Sequence, residues 1–480
     1  MAGTELKANS LGTAGITFMV VSAAAPLTVM AGVAPIALAI GGMGVPLGYL
    51  AAGLILIIFA VGFTAMARDL PGSGGFFFYI GHSLGGVVGY ASAIVALFSY
   101  NALQIGVYGL FAVQVQDTLQ QLVGVHINWI VLAIIAVAAV WALAYRGIDV
   151  GAKVLAVLIV AESAILAVMG VAIVLHGGAH GLSLAGFAPR NLAEPGVLAI
   201  LGVCFAAFMG FESTALYRAE ARDPRRTIPR ATYAAVIFMA VFYAFVVWSV
   251  VQAYGDQQIQ AVAEHRQATL FFDTIGHYVG GWAKTAMYLL IVTSVYASQL
   301  AFHNAINRYG HAVAMVGGLP RGLARTRPGS GSPYVAGMVQ SLLAVGVIGL
   351  CALLRVKPYP DLLILVNTPG VVGIIGLQFL VAVAAVVYFA RRGGSAALVA
   401  VSALAALLMA GVIWQFTQHI EVFTGVAGAL DAVLIAVVPV LFVAGLLAAL
   451  LLRRLRPGVI RQIGPGPDPT ETVQLAGVPK

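Results

Sequence analysis

The chain has 480 residues, 61% of them drawn from AVILMFWYC and only 9% charged, with a formal net charge of +8 and a mean hydropathy of +1.00. A water-soluble fold covers itself with about 25% charged residues, so this composition excludes a soluble globule, a disordered chain, a disulfide scaffold and a nucleic-acid-binding domain. The solvent it implies is a lipid bilayer.

Crossing about 30 Å of hydrocarbon takes about 20 apolar residues in a helix. Twelve such runs are predicted, at 16–39, 45–66, 87–113, 129–145, 151–175, 196–217, 231–254, 278–305, 333–354, 362–390, 396–416 and 429–452. Residues 1–14 form a short polar tail ahead of the first. Glu5 offsets Lys7 there, and the apolar run continues past Ala25 to Ile40, so Ala23-Ala24-Ala25 belongs to an uncleaved span rather than to a cleavage site. Span 1 is interrupted near its middle by Ser22-Ala23-Ala24-Ala25-Pro26-Leu27-Thr28, and span 6 by Ala206-Ala207-Phe208-Met209-Gly210-Phe211-Glu212. Proline removes an amide donor and glycine weakens a helix, so both segments can open the backbone at mid-membrane.

Asn101, Gln104 and Tyr108 share one face of span 3, as Tyr296, Gln299 and His303 share one of span 8. Each trio reads either as hydrogen-bonding glue between helices or as the lining of a pocket. Two carboxyl groups fall where charge is costly, Glu162 near the centre of span 5 and Glu212 just past the span 6 interruption. Lys284, nearer the end of span 8, is placed to snorkel toward water, and Asn367-Thr368-Pro369-Gly370 is expected to break span 10. Cys204 and Cys351 lack the clustered partners of a zinc or redox site, so no metal and no cofactor is expected. After Arg453, Arg454 and Arg456, a candidate lipid-headgroup anchor, residues 457–480 read as a disordered tail.

Orientation follows from the basic residues, which resist translocation and collect on the cytoplasmic side. With both termini inside, that side holds all of the 25 Lys and Arg residues except Arg190, Arg266, Lys284, Arg355 and Lys357. The loop at 220–230 is then cytoplasmic and that at 257–267 external. Interrupted helices at corresponding places in two halves are a mark of transporters built from inverted repeats, with the substrate held at the break. The offset between Ala25 and Gly210 matches that between the centres of spans 2 and 7.

Three further stretches narrow the reading: Arg68-Asp69-Leu70-Pro71-Gly72-Ser73-Gly74-Gly75-Phe76 after span 2, the run from Glu220 to Arg230 after span 6, and Asn307-Arg308-Tyr309 at the end of span 8 with Leu319-Pro320 beyond it. With Gly210-Phe211-Glu212, these resemble the amino acid-polyamine-organocation permeases, in order, from about Ile16 to Arg392. The resemblance implies an all-α integral membrane protein of 12 transmembrane helices. Its fold would be a LeuT-like 5+5 inverted repeat with helices 1 and 6 broken, the transport core spanning 15–392 with repeats at 15–175 and 196–392, and residues 393–456 forming peripheral helices 11 and 12. It implies secondary active import of an amino acid across the plasma membrane, a bacterial inner membrane, with protons and membrane lipid as partners and no chemistry on the substrate.

In that family the substrate carboxylate meets amides of the broken span 1, carried here onto Ala23, Ala24 and Ala25. The ammonium meets carbonyls carried onto Ser22, Phe205, Ala206 and Phe208, and Pro26, Asn101, Gln104, Met209 and Gly210 complete the candidate substrate site. Glu162 stands at or within a residue of a lysine that many members carry in place of a coupling cation, a departure from the family's pattern; as carboxyl groups desolvated in the bundle, Glu162 and Glu212 are the candidates for proton coupling. The apolar residues around the span 6 break favour a neutral amino acid. A polyamine or organocation permease, an exchanger and a sodium site at Ser294 and Ser298 remain the alternatives. An enzyme would need a nucleophile and base or a metal cluster converging in one cavity, which the scattered histidines do not supply.

Overall fold

The structure, a computed structural model, describes residues 4–70, 72, 74–425 and 428–464, and for 149, 150, 268 and 360 the backbone alone. Among the described residues the fold is helical, with one isolated bridge between Leu11 and Ala221 and no strand. Lipid offers the backbone no hydrogen bonds, so each crossing segment must satisfy its own amides and carbonyls. The α-helices in chain order are α1 Thr13–Ala24, α2 Pro26–Thr28, α3 Ala34–Gly41, α4 Val45–Asp69, α5 Phe76–Leu84, α6 Gly86–Val123, α7 Trp129–Arg146, α8 Ile148–Leu175, α9 Pro195–Ala206 and α10 Pro224–Tyr254. Then come α11 Ile259–Arg266, α12 Leu270–Tyr278, α13 Gly281–Met315, α14 Tyr334–Leu353, α15 Leu363–Arg391, α16 Ala396–Gln418, α17 Ile420–Thr424, α18 Ala429–Leu455 and α19 Pro457–Ile463.

Eleven helical stretches among the described residues are long and apolar enough to cross a membrane. The first, Thr13–Asp69, unites the expected spans 1 and 2. The chain turns at Gly42, where φ is 52°, so α3 and α4 meet only near the Gly42–Gly44 turn and both pack on α9. The core is formed by α1, α4, α6, α8, α9, α10, α13 and α15, and α16 and α18 lie at its edge with wide exposed apolar faces.

Several helix ends depart from the expected places. The expected loop at 220–230 is a loop only to Asp223, because Pro224 starts α10 at the position where its missing N–H costs nothing. The Asn307-Arg308-Tyr309 motif lies inside α13, which runs about ten residues beyond the expected end of span 8. Span 10 is not broken at Asn367–Gly370; α15 passes through Pro369 without interruption, and Gly370 lets it approach the Ser99 carbonyl of α6. The expected tail begins as the helix α19, whose Ile460 and Ile463 bury against Gly81, Gly86 and Gly89, where a side chain would collide. The rest of that tail, 465–480, and Pro71 and Ser73 of the turn after span 2 lie outside the described residues.

The bundle has two ends. At the end where the chain begins, Leu11 meets Ala221, His311 meets the Thr4 carbonyl and Phe77 N–H donates to Tyr309 Oη. At the opposite end α11 packs on α3, Gln252 Oε1 accepts from Ser183 N–H, and Lys284 of α13 pairs with Asp273 of α12 at 2.9 Å rather than simply reaching water.

Candidate functional site

The first break is set by Pro26, whose ring disfavours the right-handed helical region for the residue before it. Ala25 takes the left-handed conformation instead, at φ 50° and ψ 77°, a strain of roughly 1–2 kcal/mol for a residue with a Cβ. On the α1 side the Ala23 carbonyl accepts from Ser298 Oγ at 2.7 Å. On the α2 side Leu27 N–H donates to Glu162 Oε2 at 3.3 Å and Thr28 N–H to Ser294 Oγ at 3.3 Å, with the Thr28 and Ser294 hydroxyls 3.0 Å apart. Ala25 N–H bonds Val21 O at 3.1 Å within its own turn. The donors released by the break are therefore those of Leu27 and Thr28, and α8 and α13 already hold them. A π-helical turn, Val29–Val33, follows, just ahead of Pro35, which has no donor for the ordinary helical bond.

The second break lies between α9 and a 3-10 segment, Phe211–Tyr217. Gly210 turns the chain at φ 109°, and a Cβ there would stand 2.6 Å from the Cβ of Ala23, so the two breaks touch. Glu212 folds back onto its own break: Gly210 N–H donates to Oε2 at 3.1 Å, and Tyr100 of α6 donates to Oε1 at 2.9 Å.

Between the breaks lies a cavity of about 180 Å³ that extends along Val29, Gly32 and Ile36 toward the end opposite the chain's start. Of the residues expected to bind substrate, Ala23, Ala24, Ala25, Ala206 and Met209 line it. The others lie elsewhere. Ser22 and Pro26 are buried, and Ser22 Oγ has no partner among the described residues. Phe205 is buried in α9, and Phe208 packs its ring on Tyr243 at 5.7 Å. Gln104 exchanges amide bonds with Gln299 across α6 and α13, at 3.1 and 3.0 Å, and so joins two helices, whereas Asn101 donates to Leu97 O of its own helix. Sequence reasoning missed Thr28, Phe302 and Tyr359 as lining, and placed Asn367 in a hinge and Ser298 only in an alternative ion site. Those on the later helices carry no local signal, because they converge only once the helices pack. Among the described residues the polar side chains of the wall are Thr28, Ser298, Tyr359 and Asn367, and no charged side chain lines it.

Toward the chain's starting end the way is closed. Arg308 reaches Glu220 through both Nε and Nη2, the latter at 2.8 Å, with both side chains buried. The guanidinium lies 5.5 Å from the Tyr217 ring, and Arg218 donates to the Ala67 carbonyl. Ser10 and Leu11 N–H both donate to Glu220 O at 2.9 Å, strapping the N-terminal segment over this plug.

A sequence profile described as amino acid permease matches residues 11–453. The chain belongs to the amino acid permease family. An uncharacterized transporter of Mycobacterium tuberculosis (strain ATCC 25618 / H37Rv) is 26% identical over 325 residues, covering 65% of this chain and 67% of its own. The aspartate-proton symporter of Bacillus subtilis (strain 168) is 22% identical, over 58% of this chain and 56% of its own. The L-methionine/branched-chain amino acid exporter YjeH of Escherichia coli (strain K12) is 27% identical, over 44% of this chain and 50% of its own. This permease is thus a multi-pass membrane protein of a family of amino acid transporters, and its relatives are transporters rather than enzymes.

Proposed function

We propose that this permease is a proton-coupled secondary transporter that imports a neutral, moderately apolar amino acid by alternating access. The observation that carries the reading is the uncharged cavity bounded by the two helix breaks. A space of about 150 Å³ holds a ligand the size of benzene, so one of about 180 Å³ suits a medium apolar side chain. A charged side chain would find no partner in its wall, and an unpaired buried charge is expensive. Of the residues named from the resemblance, Ala23, Ala24, Ala25, Ala206 and Met209, which line the cavity, are its proposed surroundings.

Architecture follows the same reading: twelve spans, Thr13–Asp69 counting as two, arranged as a 5+5 inverted repeat over 15–392 with peripheral helices at 393–456. Both termini lie in the cytoplasm and the protein in the plasma membrane. The plug at Glu220 and Arg308 then closes the inner mouth while the cavity faces outward.

Proton coupling rests on Glu162 and Glu212. Glu162 is fully buried, its Oε2 holds the first free amide past the span 1 break, and its Oε1 has no partner among the described residues. A proton there removes a buried charge and weakens the hold on Leu27, which ties the protonation state to the geometry of the break. Uptake into proteoliposomes under an imposed pH or sodium gradient tests the reading. Accumulation driven by the sodium gradient alone would overturn proton coupling, and arginine or glutamate outcompeting every neutral amino acid would overturn the substrate class.

A further inference from the structure

At the end where the chain begins, a cleft of about 530 Å³ separates residues 7–12 from the start of α8. Lys7, Lys153 and Arg222 line it, and among the described residues no acidic side chain does. Lys153 and Arg222 are exposed and have no ion-pair partner among the described residues. Deeper in, the wall turns apolar, with Gly15 and Phe18 of α1 facing Ala152 and Ala156 of α8. The spacing of Lys153, Val157 and Val160 keeps them on one helix face, and the two valines are 69% and 57% exposed. That stripe continues through Val168 and Val171. In a membrane-crossing helix it faces lipid chains, with Lys153 where the stripe meets the interface.

We propose that this cleft is a binding site for an anionic phospholipid. The phosphate sits against Lys153 and Arg222 with Lys7 at the rim, and one acyl chain runs along Phe18, Ala156 and Val157. A free phosphate would match the three cations equally well but would leave the apolar floor uncovered, so the continuity of the two surfaces selects the lipid. Arg222 also donates its N–H to Leu11 O at 2.9 Å, so a headgroup bridging Arg222 to Lys153 braces the N-terminal strap against α8. The proposal depends on membrane insertion alone, not on the substrate or coupling ion, and a failure of either leaves it standing.

The test uses the full chain in an uncharged detergent, titrated with phosphatidylglycerol or phosphatidylcholine and followed by native mass spectrometry. Wild type should retain phosphatidylglycerol in preference to phosphatidylcholine. Lys153→Gln/Arg222→Gln should weaken that retention roughly twenty-fivefold, at roughly fivefold per basic contact with an anionic headgroup, and Lys153→Arg/Arg222→Lys should keep it. Arg321→Gln/Arg325→Gln, a change at two exposed basic residues outside the cleft, should leave it unaltered. Ala156→Trp fills the acyl path and should also abolish retention, which keeps the test decisive if the Gln variant proves unstable. Equal retention by wild type and the variants, equal binding of phosphatidylcholine, or displacement by millimolar inorganic phosphate would each overturn the proposal, the last by identifying a soluble anion as the ligand.

Discussion

Gly210 has two reasons to lack a side chain: its φ of 109°, and the Ala23 Cβ that would lie 2.6 Å from its own. Gly210→Ala therefore incurs both the left-handed penalty of roughly 1–2 kcal/mol and overpacking of about 1–3 kcal/mol. The larger Gly210→Leu should separate the breaks and abolish substrate binding, read as loss of the ligand-induced rise in melting temperature, while protein is still recovered from the membrane. Ligand stabilisation persisting in Gly210→Leu would show that the contact between the breaks is dispensable. Glu162 is the second decisive residue. Glu162→Gln keeps an oxygen acceptor for Leu27 N–H but cannot exchange a proton, so pH-driven accumulation should fall at least tenfold while binding survives. Full pH-driven accumulation in this variant would remove Glu162 from the coupling path. Both residues were visible in the sequence, the glycine beside Phe211-Glu212 and the acid in the middle of an apolar run. The contact between Gly210 and Ala23 was not, because it joins residues far apart in the chain.

Helix breaks were easier to anticipate than helix ends. Pro26 and Gly210 mark their interruptions by backbone chemistry alone, yet the similar Asn367–Gly370 run remains helical because α6 packs closely against it at Gly370. Asn307-Arg308-Tyr309 resembled a helix terminus, but Arg308 is paired with Glu220 inside the bundle and α13 continues through it. That buried pair is a sharp test of how the elements at this end are held. Glu220→Gln leaves Arg308 buried without its countercharge and should cost about 3–5 kcal/mol; Glu220→Gln/Arg308→Met, which removes both charges, should recover most of that loss in a detergent melt. Additive losses in the double variant would show that the two residues do not act as a pair. The Asp273–Lys284 bridge between α12 and α13 is a contrasting, half-exposed case. Burial alone would raise the Asp273 carboxyl, but hydrogen bonds from Lys284 and Thr269 and the nearby Arg266 outweigh it and hold it below the ordinary carboxylate range. Its contribution is therefore present above the carboxyl's unfolded value of about 3.9 and disappears as pH falls through the lower folded one. Asp273→Asn should then shift stability by less than about 1 kcal/mol at pH 7, and the shift should shrink with added salt. A larger, salt-insensitive loss would mean that Asp273 has a structural role beyond this bridge.

For the molecule as a whole, an all-helical membrane protein was legible because lipid demands long apolar runs and closed backbone bonding. Thr13–Asp69 is apolar almost throughout, and the short Gly42–Gly44 turn separates its two expected spans. At 1.5 Å per residue, a straight helix of its 57 residues would be about 86 Å long, nearly three times the thickness of the hydrocarbon core. The proposed reading counts it as two crossings in a total of twelve, an even number that would put both termini on one side. The basic residues then choose which side. Arg222, Arg225, Arg226 and Arg230 cluster between α9 and the early turns of α10, while the other end of α10 leads to α11 with Arg266 as its lone arginine. Thr227 is buried and would report poorly, so the labelling pair should be Arg226→Cys, whose native side chain is 76% exposed, and Gln258→Cys, exposed beyond the far end of α10. The background should lack Cys204 and Cys351, of which Cys351 is only partly buried. In intact cells a membrane-impermeant maleimide should label position 258 and spare 226, and permeabilisation should make both react. Labelling of 226 but not 258 in intact cells would invert the topology, placing the Glu220–Arg308 plug at the outer mouth and the cavity on the cytoplasmic side.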